Sequence, residues 1–256
     1  MSRWLSQPGL PQHKVTLAAV SAQAPKVAAA LEQRGCRCIL VEPVSVLSGP
    51  VQHHTDLQMS HIGGREVLVA PEAPALRKQL EQAGFHLRSG PPLQAGYPGE
   101  ILYNVAFVGG YCFCGRKNPA YPIIQDICEY FNKLIVTVAQ GYCRCNICAV
   151  NEHALLTEDP SIAQAAKRCG LSVCMVSAGA VRLDGYPYGF LGGCCGKIGP
   201  DKLAFAGELK QHPDAERIQQ FLTEHGVQAV SLQSGPLTDI GGILPLMQQP
   251  LAADKE

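Results

Sequence analysis

The sequence predicts an α/β protein built from five strand-turn-strand-helix-strand units closed into a ring. Hairpin-like segments recur at roughly 40-residue intervals, and a period of that size marks a repeat architecture. Each is followed by an amphipathic helix and a short apolar strand. The last hairpin holds only its first strand, and a spare strand near the N-terminus is available to complete it.

The first hairpin is HTDLQMSHIGGREVLVAPE (His54 to Glu72), the second EILYNVAFVGGYCFCGRKNP (Glu100 to Pro119), and the third YCRCNICAVNEHALLTEDP (Tyr142 to Pro160). Their expected turns are Gly63-Gly64, Gly109-Gly110 and Asn151-Glu152, since two-residue hairpin loops favour Gly and Asn, which accept positive φ. The fourth, GFLGGCCGKIGPDKLAFAGE (Gly189 to Glu208), has a longer turn at Gly199-Pro200-Asp201. The fifth, LTDIGGILPL (Leu237 to Leu246), supplies a first strand, and Val15 to Ser21 (VTLAAVS) supplies the second.

Between the hairpins, helices are expected to stop at Gly84, Gly170 and Gly226, where glycine suits a left-handed C-terminal cap. Asp159-Pro160 and His212-Pro213 suit helix starts. The linker NPAYPIIQDICEYFNKLIVTVAQ follows the same plan without the glycine, and PKVAAALEQRGCRCILVEP places a fifth helix and strand before the first hairpin. An ordinary doubly wound sheet also alternates helices and strands, but parallel βαβ units do not carry a hairpin in every period. The expected organisation is an N-terminal extension over residues 1–13 and one domain over residues 14–250.

Composition narrows the function classes. Of 256 residues, 46% are hydrophobic and 16% charged, enough apolar surface to offset the entropy of ordering the chain. The net charge is zero with no long Lys/Arg run, which argues against nucleic acid or acidic lipid as partner and leaves small molecules or proteins. No stretch has the length of a signal peptide's apolar core or of a membrane span, so a cytoplasmic protein is expected. Most of the 12 cysteines are then expected to be reduced thiols. The oligomeric state is not written in the sequence.

Alternation along the hairpin strands divides their residues between two faces. Asp56, Gln58 and Ser60 of the first unit, Asn104 of the second, Arg144, Asn146 and Cys148 of the third, Cys194 of the fourth and Asp239 of the fifth fall on the face turned to the ring axis. Leu57, Met59, Tyr103, Val105, Cys145, Ile147 and Ile240 fall on the other. Polar groups converging at the axis need partners or a ligand, so this layer is the candidate site.

Five such units closed by the termini resemble the pentein, or guanidino-group-modifying-enzyme, fold. That fold includes arginine and agmatine deiminases, dimethylarginine hydrolases, amidinotransferases and the non-catalytic ribosome anti-association factors. Through HTDLQM, QGYCRCNICAVNEHALLTEDP, YGFLGG and GPLTDIGGI, the chain is similar to an uncharacterised bacterial family of this fold over nearly everything after residue 15. The resemblance implies a cysteine nucleophile in the fifth unit, a histidine acid/base in an H-x-D motif of the third, and carboxylates that hold a cation. This sequence departs from that pattern: Leu244-Pro245 stands where a deiminase has His-Cys, and the third unit has no H-x-D. A rotated arrangement is available in His54-Thr55-Asp56, with Cys148 two units on and Asp239 one unit back. In it Asp56 and Asp239 orient the ligand, His54 exchanges protons and Cys148 attacks, while Asn104, Arg144, Asn146 and Cys194 complete the pocket.

Arg144 is equally able to bind a carboxylate or phosphate, or to pair with Asp56 or Asp239. The C-x-C pairs at Cys36/Cys38, Cys112/Cys114 and Cys143/Cys145 suggest zinc only superficially, because neighbours on a strand point apart, and no metal or cofactor is expected. A redox pair of Cys148 and Cys194 is a further option. Two function classes follow: a thiol-dependent hydrolase or transferase acting on a small guanidino, amidino or amino-acid-like compound, and a non-catalytic binding or assembly protein on the same scaffold.

Overall fold

A computed structural model describes residues 2–250, so that Met1 of the expected N-terminal extension lies outside the described residues. In chain order, β1 (Arg3–Trp4) and β2 (Val15–Ser21) precede helix α1 (Pro25–Glu32) and β3 (Arg37–Val41). A single turn α2 (Thr55–Gln58) leads into β4 (Met59–Gly63), β5 (Glu66–Val69), α3 (Pro74–Gln82) and β6 (His86–Ser89). Then come β7 (Ala106–Val108), β8 (Tyr111–Gly115), α4 (Tyr121–Tyr130) and β9 (Leu134–Val138). The third unit is a turn α5 (Cys143–Asn146), β10 (Ile147–Asn151), β11 (Ala154–Thr157), α6 (Pro160–Arg168) and β12 (Ser172–Met175). The last elements are β13 (Cys195–Gly199), β14 (Lys202–Phe205), α7 (Ala215–Glu224), β15 (Gln228–Ser231) and β16 (Leu244–Gln248).

These strands form five small sheets. Four are built alike, as an antiparallel hairpin whose second strand pairs in parallel with the strand after the helix: β4-β5-β6, β7-β8-β9, β10-β11-β12 and β13-β14-β15. The fifth repeats the pattern with both ends of the chain. β16 runs antiparallel to β2, with Leu244 opposite Ala19, and β2 runs parallel to β3. Part of the expected N-terminal extension joins this sheet too, because Arg3 and Trp4 pair with Gln248 and Met247.

The turns differ from expectation in detail. The second hairpin turns at Gly109-Gly110 as expected, with Gly109 at φ 55°, but the first turns at Gly64-Arg65 and the third at Glu152-His153, each one residue later than expected. The third hairpin carries a register shift between Ala149 and Asn151, and similar shifts sit beside the first and fourth turns. The fourth turn narrows to Pro200-Asp201. In the fifth unit the strand starts at Leu244 rather than Leu237, because residues 237–243 run in a glycine-containing loop whose Gly241 and Gly242 have φ of 75° and 81°.

Helix boundaries follow the local chemistry. Asp159 caps α6 by accepting from the N–H of Ser161 and Ile162 at 2.8 and 2.9 Å. Gly84, Gly170 and Gly226 end helices with φ of 85°, 77° and 68°; Asn132, at φ 51°, does the same after α4, where no glycine is present. The His212-Pro213 start is displaced, with α7 beginning at Ala215. Each long helix lays an apolar stripe on its own sheet, such as Leu76 and Leu80 of α3 and Ile218 and Leu222 of α7, all almost fully buried. Each such side chain contributes about 1.5–3 kcal/mol.

Successive units are stitched together near the first strands of the hairpins. β7 packs on β10, β10 on β13 and β13 on β16. Ile240 and Gly242 donate to the carbonyl of Gly193, Ile243 donates to that of Cys195, and Asp56 N–H donates to Gly241. The approach is so close at Gly192, Gly193 and Gly196 that an added Cβ would strike the backbone of Cys145, the carboxylate of Asp239 and the carbonyl of Ile243 respectively.

Gly196→Ala is therefore expected to cost at least about 2 kcal/mol in urea unfolding, because rigid backbone must move. Gly170→Ala meets nothing within 4 Å and suffers only its φ of +77°; it should cost about 1 kcal/mol. Equal losses from the two variants would contradict the close-approach account.

Candidate functional site

The residues that precede the first strand of a hairpin decide the site. Asp56 lies on α2 and Arg144, Cys145 and Asn146 on α5, while Cys194 ends a 3-10 turn at Gly192–Cys194. These were expected to be strand positions. Their helical conformation sets neighbouring side chains about 100° apart instead of on opposite faces, so alternation does not sort them.

The consequence is an exchange of cysteines. Cys145, expected on the apolar face, points its thiol to Asp56 Oδ2 at 3.1 Å and lies 3.1 Å from Asn104 Nδ2. Asn104 is fully buried and holds this corner together. Its Oδ1 accepts from the N–H of Arg144 at 2.8 Å and of Cys145 at 3.3 Å, and its Nδ2 also donates to the Asp56 carbonyl at 3.2 Å. His54 Nδ1 stands 3.8 Å from Asp239 Oδ1. Thus Asp56, Asn104, His54 and Asp239 do come together, around Cys145.

Cys148 lies elsewhere. With Arg144, Cys195, Lys197, Ser60 and His61 it lines a separate cavity of about 50 Å3. The neighbouring Cys195 thiol, then burial, raises its pKa well above the ordinary thiol value. Arg144 pairs with neither Asp56 nor Asp239. Its guanidinium donates to the carbonyls of Gly192 at 3.0 Å and Ile147 at 3.4 Å, with Cys195 O at 3.5 Å, tying the third unit to the fourth. Asn146 Nδ2 donates to the Tyr142 carbonyl at 3.3 Å, and the Cys194 thiol donates to Leu191 O at 3.1 Å. Cys148 and Cys194 do not bond to each other, and all twelve cysteines are free.

Above Cys145 opens a cavity of about 250 Å3, with His54, Asp239, Glu100 and Tyr142 in its wall. Much of the remaining wall is a loop between β12 and β13 that brings Leu183, Tyr186, Tyr188 and Phe190 over the opening. Asp239 anchors that loop, its Oδ2 accepting from Phe190 N–H at 2.9 Å, and Glu158 Oε2 accepts from Leu191 N–H at 3.2 Å. Tyr142 donates a short hydrogen bond to Glu100. Glu100, Tyr142 and Glu158 are not among the residues the sequence points to, and Cys145 is there expected on the apolar face.

The electrostatics are one-sided. Burial, and then the Asp56 and Asp239 charges, push the Cys145 thiol well above its ordinary pKa, so the ligand-free protein holds it protonated. Burial also raises Asp239, against the pull of His54. Glu158 is pushed up to about 7 by burial, with Asp239 adding to the shift. No lysine or arginine lines this cavity. Asp56 Oδ1 and Glu158 Oε1 are buried without a hydrogen-bond partner, a cost that a cationic donor would offset.

Among the described residues no three metal-ligating side chains converge, and no helix is long and apolar enough to cross a membrane.

Known proteins resemble the chain in fold far more than in sequence. No curated protein matches it. The inosamine-phosphate amidinotransferase of Streptomyces griseus superposes with a TM-score of 0.63 at 12% identity, covering 97% of this chain and 98% of that one. The agmatine deiminase of C. jejuni gives 0.57 at 10% identity over 88% and 90% of the two chains. A dimethylarginine dimethylaminohydrolase of Pseudomonas aeruginosa, solved with citrulline, gives 0.54 at 10% identity over 90% and 96%. All three have the pentein, or guanidino-group-modifying, fold, and this chain shares it. Residues 19–244 match the model of a family of unknown function, DUF6873, and the chain accordingly belongs to that family.

Proposed function

We propose that the protein is a thiol-dependent hydrolase or transferase that attacks the central carbon of a small guanidinium or amidinium cation, with Cys145 as nucleophile. The observation that carries this reading is the Cys145 thiol held between Asp56 and Asn104, at 3.1 Å from each, under a cavity whose wall also holds His54, Glu100, Asp239 and Tyr142. The five sheets then form a closed five-bladed ring, completed by the pairing of β16 with β2, with this site near its axis. The partner is a small molecule, neither nucleic acid nor membrane.

The chemistry follows from charge. A cation docked on Asp56 and Asp239 offsets the repulsion that keeps the thiol protonated, so binding and activation are one event. The thiol proton passes to Asp56 Oδ2, its hydrogen-bond acceptor, as sulfur bonds to the cationic carbon. His54, beside Asp239, then gives a proton to the leaving nitrogen as the C–N bond breaks, leaving an S-linked amidinium. Water, in a hydrolase, or an amine, in a transferase, loses a proton to His54 and bonds to that carbon. The C–S bond breaks, and Asp56 returns its proton to sulfur. Arg144, bound to backbone carbonyls, positions α5 and takes no part in these steps.

Chloroacetamidine, a cationic alkylating agent, is expected to label Cys145 selectively, with loss of chloride, and to outpace neutral iodoacetamide there by about tenfold or more. Peptide mapping after brief exposure reads the result, and Asp56→Asn should erase the cation preference. Labelling that favours Cys148, or equal rates for the two reagents at Cys145, would put the non-catalytic binding protein ahead.

Glu158 gives a pH test. Its carboxyl is raised from 4.5 to about 7, so the folded state holds a proton that the unfolded chain releases earlier. Stability from this group is full below about 4.5 and is lost as pH rises through about 7, on the order of 3 kcal/mol in all. Glu158→Gln retains an acceptor for Leu191 N–H and cannot ionise. Its unfolding midpoint should exceed the parent's at pH 8 and converge with it near pH 5; parallel pH profiles would refute the assignment.

A further inference from the structure

The upper half of the cavity has its own chemistry. Beyond Cys145 and the carboxylates, its wall is made by Val51, Leu57, Leu183, Tyr186, Tyr188 and Phe190. Three rings run in sequence along it: Tyr142 and Phe190 lie with centroids 6.0 Å apart at 32°, and Tyr188 meets Phe190 edge-on at 6.0 Å. Tyr186 and Tyr188 are 41% and 43% exposed at the mouth, the loop's aromatic surface left uncovered by the protein itself. Tyr186 is tied down from the far side, its hydroxyl 2.6 Å from Ser48 Oγ.

Charge excludes as firmly as shape admits. A substrate carboxylate or phosphate would need a cationic partner, and no lysine or arginine lines the cavity: Arg144 is committed to carbonyls behind it, Arg182, 65% exposed, lies 3.6 Å from Asp184 on the loop, and His54 already faces Asp239 at 3.8 Å. Glu100 would repel such a group. Its carboxylate is already engaged by the Tyr142 hydroxyl, which leaves it poorly placed to seek a second cation. We infer that the substrate's cationic head is carried on an uncharged apolar arm, aromatic or aliphatic, packed against Tyr142, Tyr188 and Phe190, and that amino acids bearing a free carboxylate are rejected. This specificity rests on the cation reading of the same site and adds to it the identity of the arm.

Calorimetric titration of the Cys145→Ser protein separates binding from thiol chemistry. Phenylguanidine is expected to bind about tenfold more tightly than agmatine, and L-arginine about tenfold more weakly than agmatine or not at all. Phe190→Ala, a half-buried position whose backbone contact to Asp239 is kept, should weaken phenylguanidine about tenfold and leave methylguanidine within about twofold. Tyr188→Ala, at an exposed position, serves as a second variant with the same expected direction. L-Arginine binding as tightly as phenylguanidine would overturn the assignment of the arm, as would an equal effect of Phe190→Ala on both guanidines. Failure of every probe to bind overturns it too. The chloroacetamidine experiment requires no arm, and its outcome then says whether the cation reading falls as well.

Discussion

The side chain of Asn104 is the contact on which the site depends. It is fully buried and spends both ends of its amide across three units: on the Asp56 carbonyl of the first, and on two backbone N–H groups and the Cys145 sulfur of the third. Without it, α5 would begin with two unpaired donors in a dry place, each costing about 1–3 kcal/mol. A single asparagine therefore fixes the start of a helical turn and the position of the thiol that follows. Its neighbours work under the same constraint, since Arg144 satisfies carbonyls of the fourth unit and the loop of the fifth donates into it.

The polar centre carries an electrostatic debt. Asp56, Asp239 and Glu158 lie close together, and the Arg144 guanidinium is spent on backbone carbonyls. Burial shifts Asp239 and Glu158 toward neutrality, and Glu158 near 7 shows how far that goes. The cationic ligand proposed above would be favoured by this arrangement, because a positive charge there offsets the carboxylates' mutual repulsion.

The architecture was legible because repeats survive in short signals. Gly63-Gly64 and Gly109-Gly110 marked turns, Gly84, Gly170 and Gly226 marked helix ends, and the unmatched strand at Val15 to Ser21 found its place beside Leu244–Gln248. The site was legible only in part. His54, Asp56, Asn104 and Asp239 stand out in the sequence and lie together, yet strand alternation favours Cys148 over Cys145, and it fails there because residues 143–146 form a helical turn. A local signal was available: Arg144-Cys145-Asn146 has no β-branched residue and ends in Asn, which strands disfavour, while Ile147 opens the true strand. Glu100, Glu158 and Tyr142 sit on connections between elements, and their convergence depends on loop paths that periodicity does not encode.

The composite sheet has a consequence for how the chain reaches its native state. Leu17 and Ala19 lie beside Met247 and Leu244, residues more than 220 positions later in the chain. Four sheets can assemble from contiguous stretches as the polypeptide emerges from the ribosome, whereas β2 must wait for nearly the whole chain before its antiparallel neighbour exists. Until then its edge is open to foreign strands, a hazard that chaperones are suited to mask. The same closeness of the two ends means that the gene could be cut at another hairpin and rejoined through a short linker, with the order of assembly changed and the finished molecule much the same.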